Sequence, residues 1–310
     1  MSGTIAALFP VFAVIVLGYG LRRGRFVEDG FWAAAERITF YVFFPALLVS
    51  STAKASLAGL DVGAIALALL GAIGLVLAIA RALHGPLHLN GPAYSSLIQS
   101  AIRPNVYVAF SAAAALFGRD GLTAISLCIA VVVPAVNVIS VYVLVRHGAG
   151  PDTGTAAAAK WRRVVAGVAA NPLVLACGAG FALNLTGIGL PPLVGPLLEI
   201  LGQSSLAVGL LAVGAGLDLN ALRQAGPGVA AASLLKLVVL PMTTWLLAFA
   251  LDIEGIVLAA VVTTAAVPVS ATAYVMARQM GGDAPVMAGA ITATTLGAAI
   301  TMPLFLSLAM

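Results

Sequence analysis

Charge is what this chain has least of: 8% of its 310 residues are Asp, Glu, Lys or Arg, while 62% are hydrophobic. A soluble domain carries about 25% charged residues to cover its surface, so a soluble fold is excluded. Cysteine and histidine are scarce as well, at two and three copies. Cys128 and Cys177 form no CxxC and no Cys/His grouping. That removes a disulfide framework and leaves a metal site without support, and both read as reduced packing residues. His84, His88 and His147 fall in loops, so no His/Glu/Cys constellation exists for a membrane enzyme, and no cofactor is expected. Long basic runs are missing too. The net charge is +4 and the pI near 9.3, but the basic residues come one to four at a time between apolar stretches. Such spacing marks membrane topology rather than a nucleic-acid partner.

What the chain does have is apolar length. Mean hydropathy is +1.11, and cutting at charges and Gly/Pro clusters gives ten segments: 4–21, 31–51, 62–80, 93–117, 122–145, 164–185, 193–217, 228–251, 256–276 and 284–309. About twenty apolar residues cross a hydrocarbon core of roughly 30 Å as a helix. Helix is required because an unpaired peptide group facing lipid costs several kcal/mol, and a helix satisfies its own backbone. The short alternating segments of a membrane barrel are absent. The first run ends at Arg22-Arg23 rather than at a cleavage site, so it reads as a retained span.

Arg22, Arg23, Arg25, Arg81, Arg146, Lys160, Arg162, Arg163, Arg223 and Arg278 occupy the odd-numbered loops, against Lys54 and Arg119 in the even ones. Positive-inside bias then puts the odd loops in the cytoplasm and both termini outside. The chain also repeats itself. Phe9-Pro10 through Gly18-Tyr19-Gly20-Leu21 lines up on Asn171-Pro172 through Gly180-Phe181-Ala182-Leu183, a shift of 162 positions. Glu36 falls on Glu199 and Phe117-Gly118-Arg119-Asp120 on Met280-Gly281-Gly282-Asp283 at a shift of 163, with Pro104 within one residue of Pro268. Residues 1–147 and 164–310 therefore form two five-helix repeats joined by a Gly/Ala/Thr-rich cytoplasmic link, 148–163. Because five is odd, the second copy enters from the opposite side, and inverted repeats belong to alternating-access transporters.

Carriers of this architecture place their site at paired helices broken by Pro or Gly. The repeat singles out Gln99-Ser100-Ala101-Ile102-Arg103-Pro104-Asn105 and Thr263 through Thr272, which holds Pro268 and Ser270. Each is a proline flanked by small, hydroxyl or amide side chains near mid-span, where the helix must break or kink. Arg103 puts a charge deep in an apolar run, at roughly 2.5–3.5 kcal/mol on insertion scales. It either serves the site, snorkels, or sits in a structural ion pair. Lys236 carries the same choice between coupling charge and snorkelling. Glu36, Arg37 and Glu199 read as interfacial, Asp218 as a loop residue, and Asn137 as an interhelical hydrogen bonder.

In Phe44-Pro45-Ala46-Leu47-Leu48, Arg103-Pro104-Asn105-Val106-Tyr107, Leu116-Phe117-Gly118, Pro134-Ala135-Val136-Asn137-Val138, Asn171-Pro172, Lys236 through Pro241 and Pro268 through Ala277, the chain resembles the auxin efflux carrier family. That family includes plant auxin exporters and bacterial carriers labelled malonate or dicarboxylate transporters. The resemblance implies an all-α integral membrane fold of ten helices, of the sodium/bile-acid-symporter type, with helices 4 and 9 crossed at Pro104 and Pro268. It implies a scaffold of helices 1, 2, 6 and 7, a transport domain of helices 3–5 and 8–10, and a homodimer in the plasma (inner) membrane. By the same carry-over Asn105, Asn171, Ser50 and Ser51 contact substrate, with Arg103 and Ser270 beside them and Gln99, Lys236 and Asn137 as charge or coupling candidates. The expected function is secondary transport of small organic anions, malonate- or auxin-like carboxylates, by an elevator motion. The alternatives are an ion channel or a sodium-coupled symporter of the bile-acid type.

Overall fold

The computed structural model describes residues 2–54, 61–148 and 171–310. Lys160, Arg162, Arg163, the link from residue 149 onward and the start of the sixth segment lie outside them. Twelve helices are traced among the described residues: α1 (Ser2–Arg23), α2 (Asp29–Ala53), α3 (Val62–Leu83), α4 (Gly91–Ile102), α5 (Val106–His147), α6 (Pro172–Leu185), α7 (Val194–Ala215), α8 (Leu219–Arg223), α9 (Pro227–Ala250), α10 (Gly255–Ala266), α11 (Thr272–Met280) and α12 (Ala284–Ala309). Seven of them, α1, α2, α3, α5, α7, α9 and α12, are long and apolar enough to cross a membrane. The protein is a multi-pass membrane protein, and its regular structure is all helical among the described residues.

The seven differ from the ten expected segments for identifiable reasons. Segment six begins outside the described residues, and its described part, α6, has 14 residues. Segment nine is divided into α10 and α11. Segment four is divided into α4 and the start of α5, and α5 then runs on through segment five. A straight helix of 42 residues would be about 63 Å long, twice the hydrocarbon thickness. It is not straight: Gly118 has φ 58° and ψ −132°, so 106–117 and 119–147 form two arms. A methyl group on Gly121 would overlap the Ala113 carbonyl, eight residues back and about 12 Å away in a straight helix. Gly281, at φ 77°, ends α11 in the left-handed conformation that glycine adopts without strain.

Prolines also shape α2 and α9. Pro45 and Pro241 cannot donate a backbone hydrogen bond, and their rings crowd the preceding turn. The chain widens just before each: Phe44 N–H bonds the Thr39 carbonyl and Leu240 N–H the Leu235 carbonyl, a five-residue step that makes one π-turn. The second of these turns carries Lys236 inward.

Two sets of helices pack mainly among themselves. In the first, α1 lies on α7, and α2 on α6 and α7. A methyl on Gly18 would overlap the Leu211 carbonyl, and one on Gly180 would overlap Thr52 and approach the Val49 carbonyl to 3.0 Å. Small residues admit such close backbone approach where lipid offers no hydrophobic drive. In the second set, α3 packs on α9, α5 on α10, and α12 on α8, α9 and α10.

Candidate functional site

The chain leaves helical geometry twice inside the second set, at 103–105 and at 267–271. Arg103 (φ −77°, ψ 116°) and Val267 (φ −63°, ψ 152°) are extended, as suits residues that precede proline. The two breaks meet. Pro104 and Val269 form an antiparallel bridge, and Asn105 N–H donates to the Pro268 carbonyl over 2.9 Å. Backbone groups that a membrane helix would have satisfied internally are thus partly satisfied by each other.

Side chains complete part of the accounting. Asn105, 1% exposed, caps the arm 106–117 by accepting from Val108 N–H at 3.3 Å. Its amide nitrogen has no partner. Thr294 on α12 accepts from Val269 N–H at 3.1 Å. The Ser270 and Thr272 hydroxyls lie 2.9 Å apart. Lys236 does not snorkel: it is fully buried and donates from Nζ to the Ala265 carbonyl at 3.0 Å. The ammonium therefore sits at the C-terminal end of α10, where carbonyls are left free and the helix dipole favours a cation.

Arg103 is 8% exposed. Its guanidinium reaches the Thr272 hydroxyl at 3.4 Å and the Met276 sulfur at 3.6 Å, both weak neutral acceptors, and its Nε has none. Among the described residues it has no carboxylate partner. The three ion pairs there are Arg22–Asp29, Lys54–Glu199 and Arg119–Glu199, all near helix ends.

Eleven buried side-chain nitrogen or oxygen atoms lack a partner among the described residues, and six belong to Gln99, Arg103, Asn105, Tyr107 and Ser111. An unmade buried hydrogen bond costs about 1–3 kcal/mol, and native interiors carry few of them. The deficit is therefore concentrated on 13 consecutive residues that run through the first break. Tyr107 and Ser111 were not among the expected site residues. They lie one turn apart, with the Tyr107 ring seated on Gly209 of α7, where an added methyl would come within 2.7 Å, and edge-on to Phe44 of α2 at 5.1 Å. A small cavity beside the breaks is lined by Ile73, Ile102, Thr244 and Thr264 among others, none of them charged.

The other expected residues are placed by contacts of their own. Asn171 caps α6 through Leu173 N–H at 2.9 Å. Ser51 donates to the Leu47 carbonyl at 2.6 Å and lies 3.1 Å from Ser126. Ser50 and Asn137 are buried on α2 and α5. No hydrogen bond links any of these four to residues 103–105 or 267–271 among the described residues.

A membrane-embedded, acceptor-starved break fits the comparison with known sequences. Residues 161–306 match a family described as membrane transport protein. The match covers a little under half of the chain, and it is a likeness to that family over this stretch. The match takes in Lys236, Pro268 and Ser270, and the family's members carry solutes rather than catalyse reactions. No curated protein matches the chain.

Proposed function

We propose that the protein is a secondary carrier of small organic anions, and that the first break holds the substrate's carboxylate. One observation carries this reading: among the described residues a buried guanidinium without an acid partner stands with unpartnered donors on Gln99, Asn105 and Tyr107, against a single unpartnered amide oxygen, that of Gln99. Donors without acceptors suit an acceptor-rich anion, and carboxylate oxygens take charge-assisted bonds from arginine. Arg103 and Asn105 bind the anion, with Gln99 and Ser270 beside them. Ser50, Ser51 and Asn171 face it from the first helix set, and Lys236 and Asn137 fix the second break and α5.

The same reading extends to architecture. We take the ten segments as ten passages in two inverted repeats, with α1, α2, α6 and α7 as scaffold and the remaining helices as the moving domain. Reciprocal contacts support this: adding 162 to Gly18 and Val49 gives Gly180 and Leu211, so the Gly18–Leu211 seat and the Gly180–Val49 seat exchange under the repeat. Gly118 and Gly281, 163 apart, both turn at positive φ. Transport follows as an elevator movement of the second set along the first in a homodimer of the inner membrane.

Uptake of radiolabelled malonate and of an indole carboxylate into proteoliposomes tests the function. Saturable uptake that falls at least tenfold in Arg103→Gln is expected. Unsaturable, ohmic anion current through the same vesicles would overturn the carrier reading in favour of a channel.

A further inference from the structure

A second group of basic side chains, away from the breaks, also has no ion-pair partner among the described residues. His84 follows the last residue of α3, Tyr94 lies on the first turn of α4, and His147 ends α5. Their rings cluster: His84 to Tyr94 is 4.2 Å between centroids, Tyr94 to His147 5.1 Å, and His84 to His147 6.2 Å. The fit is backed by the main chain, since a methyl on Gly91 would overlap the His147 carbonyl. Arg81, in the last turn of α3, and Arg146, beside His147, are both exposed, and together with His84 they lie close enough to act electrostatically on His147. Arg81 also acts on Tyr94.

Like charges gathered this way repel, and among the described residues no acid forms an ion pair with them. Neither arginine side chain has an ion pair or a hydrogen bond among the described residues, whose three ion pairs lie elsewhere. The nearby carboxylate, Asp283, is turned to its own helix: its backbone N–H reaches the Pro92 carbonyl and Ser96, while Oδ1 accepts from Val286 N–H at 2.9 Å. The basic residues in the last turn of α1 make a useful contrast, because Arg22 there bonds both Asp29 and the Ala215 carbonyl.

We infer that Arg81, His84, Arg146 and His147, braced by Tyr94, hold the phosphate of an anionic phospholipid headgroup. Guanidinium forks match phosphate oxygens two at a time, and imidazole N–H groups add donors beside them. The level in the membrane decides the source. α3 and α5 are both membrane-crossing helices, so their last turns stand at the headgroup layer, where anionic lipids attract basic residues by roughly 1 kcal/mol each. The site is independent of the carrier reading and requires no transport to test.

Native mass spectrometry of the detergent-purified protein, titrated with phosphatidylglycerol or phosphatidylcholine, reads the occupancy directly. One tightly held phosphatidylglycerol is expected, with occupancy about tenfold lower in Arg81→Gln/Arg146→Gln. Removing loop arginines can disturb insertion, so His84→Asn/His147→Asn is the second variant. It keeps both arginines and is expected to lose about threefold. Arg23→Gln/Arg25→Gln, a pair of charges outside the cluster, should leave occupancy unchanged. Equal binding of the two lipids, or an equal loss in the Arg23/Arg25 control, overturns the site. Displacement of the lipid by millimolar inorganic phosphate overturns the lipid assignment.

Discussion

The two helix breaks share a backbone plan and differ in how far their polar groups are satisfied. At the second break, Val269 N–H has Thr294, the Ala265 carbonyl has Lys236, and Ser270 and Thr272 have each other. At the first, the Arg103 guanidinium rests on a hydroxyl and a thioether, and unpartnered atoms run from Gln99 to Ser111. The protein finishes one break with its own side chains; at the other, polar atoms stay unpartnered among the described residues, which is why we propose that a ligand binds there. Symmetry of the chain's path therefore does not make the two halves equivalent in chemistry.

Arg103→Gln is the strongest test of that contrast. Hydrogen bonds to charged groups contribute about 1.5–3 kcal/mol, so anion affinity should fall roughly tenfold to a hundredfold in a calorimetric titration. The empty protein should melt no earlier than wild type. Removing one member of a buried ion pair destabilises by about 3–5 kcal/mol, so a loss of that size would expose a carboxylate partner for Arg103 and equalise the two breaks. Asn105→Ala comes next: affinity should drop about tenfold, and loss of the cap should lower stability by about 1 kcal/mol. At the second break, Thr294→Val leaves Val269 N–H without its acceptor. A stability loss of about 1–2 kcal/mol with unchanged affinity is expected, and weakened binding there would assign substrate to both breaks. Lys236→Met should do least. It strands one carbonyl and at the same time relieves an unpaired buried charge, two terms of opposite sign. Affinity within threefold of wild type and a melting point near wild type are expected from the same titrations.

Much of this was legible in the sequence, because membrane insertion and proline act locally. Low charge and recurrent apolar runs require helices in lipid, and Pro104 and Pro268 mark where those helices cannot continue. The breaks fall at these two prolines, and they meet through the Pro104–Val269 bridge and the Asn105–Pro268 hydrogen bond. What escaped was which distant side chain answers which free backbone group. Thr292, Thr294 and Thr295 are all buried on one helix, and nothing local distinguishes the one that meets Val269. Arg103 finds its contacts 169 and 173 residues away. Tyr107 and Ser111 read as ordinary span residues, although their spacing of four, just after the break, puts them on one helix face. The π-turns had a visible signal in Phe44-Pro45 and Leu240-Pro241, each a proline inside an unbroken apolar run.

The glycine seats on α1 and α6 bear on how the chain is made. α1 leaves the ribosome before α7, yet the surface that closes over Gly18 belongs to α7, and Arg22 waits for a carbonyl 193 residues downstream. Until α7 is inserted, acyl chains fill the notch and Arg22 stays hydrated. α1 thus waits in the bilayer for a neighbour made much later, and a polypeptide that stops short of α7, however well inserted, has nothing to close against Gly18.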